Sequence, residues 1–279
     1  MKQTAPALPT FDIVDAASFG YQLAWAERQY LVRLATVPIL VSIVCQLIVT
    51  MLGWESNYLR QAMVMLPAYF AEGWMVCHMV RLVFLGQRWP FMPSGDPVRD
   101  ETALDDRAYG IFAGTLVYVL IKMIASALLA FSSMFQMSDD METLVQSGGN
   151  PPAALLIMQV VIVVVGVWAF RFLWVHIGVA AGYRIRTYLR AVNGLGVSVQ
   201  MLGVSLLCFF PLFVLLLFVT MGLVSSYHQQ NVPVPLSTKF IVITLQVCGG
   251  AAITLINTAA IAQGFGKLVD IYLRKNPSA

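Results

Sequence analysis

Apolar residues fall in long blocks separated by short segments rich in glycine, proline and polar side chains. Positions 161–175 contain one charged residue and 212–224 none. Stretches of about 18 or more apolar residues read as membrane-spanning helices. The pattern places spans near 34–53, 62–86, 109–135, 153–177, 195–224 and 239–263. The breaks at 53–57, 90–97, 147–152 and 231–235 carry the residues that turns require. A transmembrane β-barrel would alternate apolar and polar positions with period two, and these blocks do not. The chain therefore reads as an all-α, polytopic membrane protein: a six-transmembrane-helix bundle with amphipathic interfacial helices. Its expected parts are a cytoplasmic N-terminal segment, 1–33, with an amphipathic helix; a six-helix transmembrane domain, 34–263; and a basic cytoplasmic tail, 264–279.

Composition agrees with the pattern. Of 279 residues, 59% are hydrophobic and 11% charged, against about 45–50% and about 25% in soluble domains. This excludes a soluble enzyme core, a disordered chain and a nucleic-acid-binding domain. Net charge is only +3, so the placement of the bases matters more than their sum. With the N-terminus in the cytoplasm, 14 of the 17 Lys and Arg residues fall on inner segments or inner helix ends. Only Arg60 and Lys239 fall outside, and Lys122 lies within a span. This asymmetry is the positive-inside pattern. It predicts both termini cytoplasmic, in a cytoplasmic (inner) membrane. No compact apolar segment of signal-peptide type precedes residue 34, so the first apolar run is expected to stay as an anchor. Cys45, Cys77, Cys208 and Cys248 are isolated in apolar runs and read as small hydrophobes.

Three stretches on the inner side look amphipathic. In 18–33, Phe19, Leu23, Tyr30 and Leu31 share a helical face; in 183–192, Ile185, Leu189 and Val192 oppose Arg184, Arg186 and Arg190. In 265–275, Phe265, Leu268 and Ile271 stand beside Lys267, Arg274 and Lys275. Such segments are expected to lie in the headgroup plane with their bases toward anionic lipid. Ala71–Trp74 is weakly echoed at 262–265, too briefly to indicate a repeat.

Ionisable residues inside spans are costly, and they are the first place to seek function. Glu72 sits about 15 Å from the outer end of span two, and Lys122 near the middle of span three, at 1.5 Å per residue. Consecutive antiparallel spans bring them to similar depth, which predicts a Glu72–Lys122 ion pair facing the bundle interior. It is read either as a structural register pin or as a proton relay. Gly110, Gly114, Tyr118, Lys122 and Ser126 recur every four residues, a small-and-polar stripe suited to close helix packing. Span six carries a similar stripe of Gly250, Thr254 and Thr258 with Asn257 beside it. Tyr118, Ser126 and Asn257 are candidates for lining a path or packing against polar neighbours. Arg81 and Arg171, near inner helix ends, are expected to snorkel to the headgroups. His78 and His176 lack a local acidic or cysteine partner, so no metal site is expected.

The motifs of membrane catalysis are missing: there is no HExxH, no GxSxG and no phosphate-binding GxxxxGK[ST]. The acidic segment 96–106 reads as a solvated loop, with Asp105 or Asp106 capping span three. These features predict no catalytic residues and no cofactor. The expected function is that of a non-catalytic integral membrane subunit, anchor or assembly factor. It would work through helix–helix and cytoplasmic-loop contacts within the lipid bilayer, with a membrane-protein partner or as a homo-oligomer. The alternative is a small-solute or ion permease built on the Glu72/Lys122 couple.

Overall fold

The computed structural model describes residues 11–134, 153–229, 232 and 234–275. Among these the only regular structure is helical. Six helical segments are long and apolar enough to cross a bilayer, so the chain is a multi-pass membrane protein. The elements run α1 (Ile13–Ala26), α2 (Arg28–Met51), α3 (Tyr58–Val64), α4 (Leu66–Leu85) and α5 (Pro97–Met134). They continue with α6 (Ala153–Ala169), a tight 3-10 turn (Phe170–Trp174), α7 (Val175–Ala180), α8 (Ile185–Ala191), α9 (Leu195–Gln229) and α10 (Leu236–Lys275). The spans are carried by α2, α4, α5, the composite Val163–Ala180, α9 and α10.

Several boundaries depart from the sequence pattern for local reasons. The stretch expected as one span at 62–86 is two helices, α3 and α4, because Pro67 at the second position of α4 has no N–H to continue the upstream ladder. α4 ends at Gly86, whose φ of 63° is the left-handed conformation that glycine supplies at a helix terminus. The acidic segment read as a loop is mostly helical: α5 starts at Pro97, and Asp96 accepts from Val98 N at 3.2 Å. Proline at the first position, an Asp cap and acids in the opening turns all suit a helix start. Asp105 and Asp106 consequently lie about two turns inside the helix rather than at its cap.

The amphipathic stretches differ most from expectation. Asp12 caps α1 by accepting from Val14 N and Asp15 N at 2.8 and 3.0 Å. The continuous 18–33 face is interrupted at Glu27, where α1 gives way to α2. α1 turns its small residues Ala16, Ala17 and Gly20 inward. A Cβ built at Gly20 would stand 2.6 Å from Ile256 O of α10, so the two backbones are nearly in contact. The boundary expected at 263–264 does not interrupt the helix: α10 continues to Lys275, with Phe265, Leu268 and Val269 fully buried. In α8 the inward residues are Tyr188 and Ala191, while Ile185 and Leu189 are exposed. These segments cover the bundle end instead of lying loose on it: α1 packs against α9 and α10, and α8 against α10 and α7, contacts between separate segments that sequence periodicity cannot see.

Two buried clusters form the core. The larger joins α1, α4, α7, α8, α9 and α10 around Tyr188, Phe265, Met201 and Ile261. The smaller joins α2, α4 and α10 around Leu34, Met75 and Met79. Both sit toward the end carrying α1 and α8. Toward the other end α5, α9 and α10 expose Leu128, Phe218 and Phe240, as helix faces against lipid do.

Candidate functional site

The α4–α5 crossing places the charged residues, and glycines set its closeness. A Cβ at Gly73 would meet the Tyr118 side chain at 3.1 Å, and one at Gly114 would meet Cys77 Sγ at 2.7 Å and Ala180 Cβ at 3.0 Å. Gly110 faces the Arg81 guanidinium and Ala180 O. Gly250, the matching glycine of α10, has open space instead.

At mid-span, Lys122 Nζ lies 3.4 Å from Glu72 Oε2, with side-chain exposures of 38% and 21%. Thr254 Oγ1 donates to Glu72 Oε1 at 3.3 Å, so α10 reaches the same carboxylate. The Lys122 ammonium stands 5.3 Å from the Tyr118 ring centre and 5.9 Å from that of Tyr69. Such distances allow attraction between the cation and the ring faces. Buried Tyr118 packs edge-on against His176, centroids 5.1 Å apart. His176 Nδ1 is 3.0 Å from Leu173 O. Glu72 also borders a crevice of about 150 Å³ between α2, α4 and α10, lined by Pro38, Ser42, Met75 and Gly250. Ser126 is half-buried one turn beyond Lys122. Asn257 lies one turn along α10 from Thr254, its Oδ1 buried without a hydrogen-bond partner among the described residues, as are Thr258 Oγ1, His176 Nε2 and His78 Nδ1.

Arg81 and Arg171 do not snorkel. Arg81 is 1% exposed and ties three helices together. It donates to Asp106 at 2.6 Å, Gln87 at 2.8 Å and Ala180 O at 3.1 Å. Arg171 donates to Val192 O at 3.3 Å, and Tyr188 donates to Arg171 O at 2.7 Å. A buried guanidinium is tolerable when carbonyls and a carboxylate take up its fork of donors. Burial pushes the Tyr188 phenol well above its ordinary 10.0, the nearby Arg171 charge opposing the rise. His78 packs against the Trp74 ring at 4.5 Å, and no metal-holding group of three His, Cys, Asp or Glu residues occurs among the described residues.

A second cavity, of about 890 Å³, opens where the α1–α2 junction meets the α4–α5 connection. Arg28, Arg33, Arg88 and Arg107 line it, with Glu27 as the one acid. Sequence reading missed this grouping because its residues come from three separate segments, each ordinary alone. The signal within reach was the recurrence of bases at 28, 33, 88 and 107 beside Tyr30 and Trp89. No protein-family model, curated protein or solved structure matches the chain.

Proposed function

We propose that the chain is a non-catalytic subunit or assembly factor of the cytoplasmic membrane, both termini inside, that binds a membrane protein through the face of α5 around Lys122. One observation carries this reading: a lysine at mid-span is more than one-third exposed on the bundle surface. A charge at the bilayer centre costs about 2.5–3.5 kcal/mol on insertion scales. Glu72 and the rings of Tyr118 and Tyr69 offset it from within the bundle, while 38% of the side chain stays exposed. A polar or aromatic group from a neighbouring transmembrane helix would complete its surroundings, and the small-and-polar stripe of α5 suits close approach.

A photoreactive residue at Leu129, two turns along the same face, tests this in native membranes. The expected product is an adduct of one discrete mass, weakened by Lys122→Met and absent from a control probe at Val164 on α6. Failure to form it, or indifference to Lys122→Met, refutes the reading.

The crevice beside Glu72 favours a second reading, a small permease in which Glu72 carries protons. A volume of about 150 Å³ holds several waters at about 30 Å³ each, but is smaller than the about 300–1,000 Å³ of ordinary ligand pockets. Proteoliposomes holding only this chain separate the two. Proton-coupled uptake abolished by Glu72→Gln supports the permease, and absence of flux removes it.

A further inference from the structure

The cavity at the α1–α2 junction gathers four arginines against one glutamate, and nothing in the proposed function uses it. Its positive charge is only partly answered. Arg88 pairs with Glu27 at 2.5 Å. Arg28 donates to Trp25 O at 3.0 Å and stands 5.1 Å from the Trp25 ring centre, contacts that leave its charge uncompensated. Arg33 projects into the cavity from the second turn of α2.

Arg107 is the distinctive member. It is 6% exposed, yet has no carboxylate within salt-bridge distance among the described residues. Its Nη2 donates to Arg88 O at 2.7 Å, and its guanidinium sits 5.9 Å from the Phe91 ring centre. Arg81 next to it has already taken Asp106. A nearly buried guanidinium without a counter-charge is expensive, and Arg107 is one of the cavity's lining residues. An anion bound there would supply the missing charge.

The walls narrow the class of anion. Arginine forks match the geometry of phosphate oxygens in paired hydrogen bonds. Trp89, Phe91 and Met92 give the same cavity an apolar side, and aromatic residues of this kind mark the membrane–water boundary. Trp89 N donates to Tyr30 Oη at 3.1 Å, fastening the α4–α5 connection to α2 so that the two walls are held together. The volume, about 890 Å³, lies within the about 300–1,000 Å³ typical of ligand sites. We infer that this groove binds a phosphate-bearing anion, with Arg33 and Arg107 as its principal ligands and the aromatic wall taking the glycerol end of a phospholipid.

Native mass spectrometry of the full chain released from mixed phosphatidylcholine and phosphatidylglycerol micelles reads the adduct directly. Phosphatidylglycerol is expected to be retained in preference to phosphatidylcholine. Arg107→Gln should weaken retention about 10- to 100-fold, the range for loss of hydrogen bonds to a charged group. Because Arg107 is buried, Arg33→Gln serves as the second variant, expected to weaken retention while leaving the melting curve unchanged. Inorganic phosphate distinguishes the sources. If millimolar phosphate displaces the lipid, the groove accepts the free anion; if the adduct persists, it is a headgroup site. Equal retention of the two lipids with no effect of phosphate overturns the inference, as does phosphatidylglycerol binding untouched in both variants.

Discussion

Gly20→Ala gives opposite signs for a docked and a free α1. In a helix lying loosely on the membrane, alanine in place of an interior glycine stabilises by about 1 kcal/mol. In the structure the added methyl carbon would lie 2.6 Å from Ile256 O, 3.0 Å from Ala260 Cβ and 3.3 Å from Ala260 N. The first and last of these are backbone atoms and cannot swing aside, so α1 must lift away from α10. Overpacking of this kind costs about 1–3 kcal/mol. The upper part of that range applies, because a whole helix moves and separates Ala16 and Ala17 from the main core. Net destabilisation of about 2 kcal/mol is expected. Thermal unfolding followed by circular dichroism in one detergent, wild type beside variant, measures it. A variant as stable as wild type, or more so, would mean that α1 is not docked here.

Gly114→Ala and Gly250→Ala form a second pair of opposite sign. The first meets Cys77 Sγ and Ala180 and should lower stability by about 1–3 kcal/mol. The second meets open space and should raise it by up to about 1 kcal/mol; the same unfolding assay reads both. Glu72→Leu alone should impair membrane insertion or folding by about 2.5–3.5 kcal/mol by stranding Lys122, and Glu72→Leu with Lys122→Leu should recover most of it. A double-mutant cycle with no coupling would show that the 3.4 Å contact contributes nothing. Tyr188 has its phenol pKa raised by burial, so its contribution is fully present below pH 10 and is lost as pH rises from there toward its folded value. Tyr188→Phe should flatten that alkaline decline. It should also cost about 0.5–1.5 kcal/mol at neutral pH through loss of the 2.7 Å bond to Arg171 O.

Glu72 and Lys122 show how far one-dimensional reasoning reaches. Their approach to 3.4 Å follows from residue counting along two antiparallel helices, since each residue advances a helix by about 1.5 Å. Span number follows from block length for a similar reason: bilayer thickness is fixed, and a hydrogen-bonded backbone must cross it whole. Arg81, by contrast, reads as an interfacial arginine until its partners are known. Asp106, Gln87 and Ala180 O come from 25, 6 and 99 positions away. Likewise, Gly114 and Gly250 belong to similar stripes, yet only one lies at a tight crossing.

The amino-acid order alone therefore determined the all-helical architecture with six helices long and apolar enough to cross a membrane, because these depend on local hydrophobicity and helix rise. Tertiary packing decided the rest. It set which amphipathic segments turn inward, as α1 and the end of α10 do, which guanidinium finds a carboxylate, and which arginines from distant segments converge on one cavity. Those outcomes rest on side-chain volumes meeting across helices far apart in the chain, and periodicity within one helix carries no information about the shape of the groove it will meet.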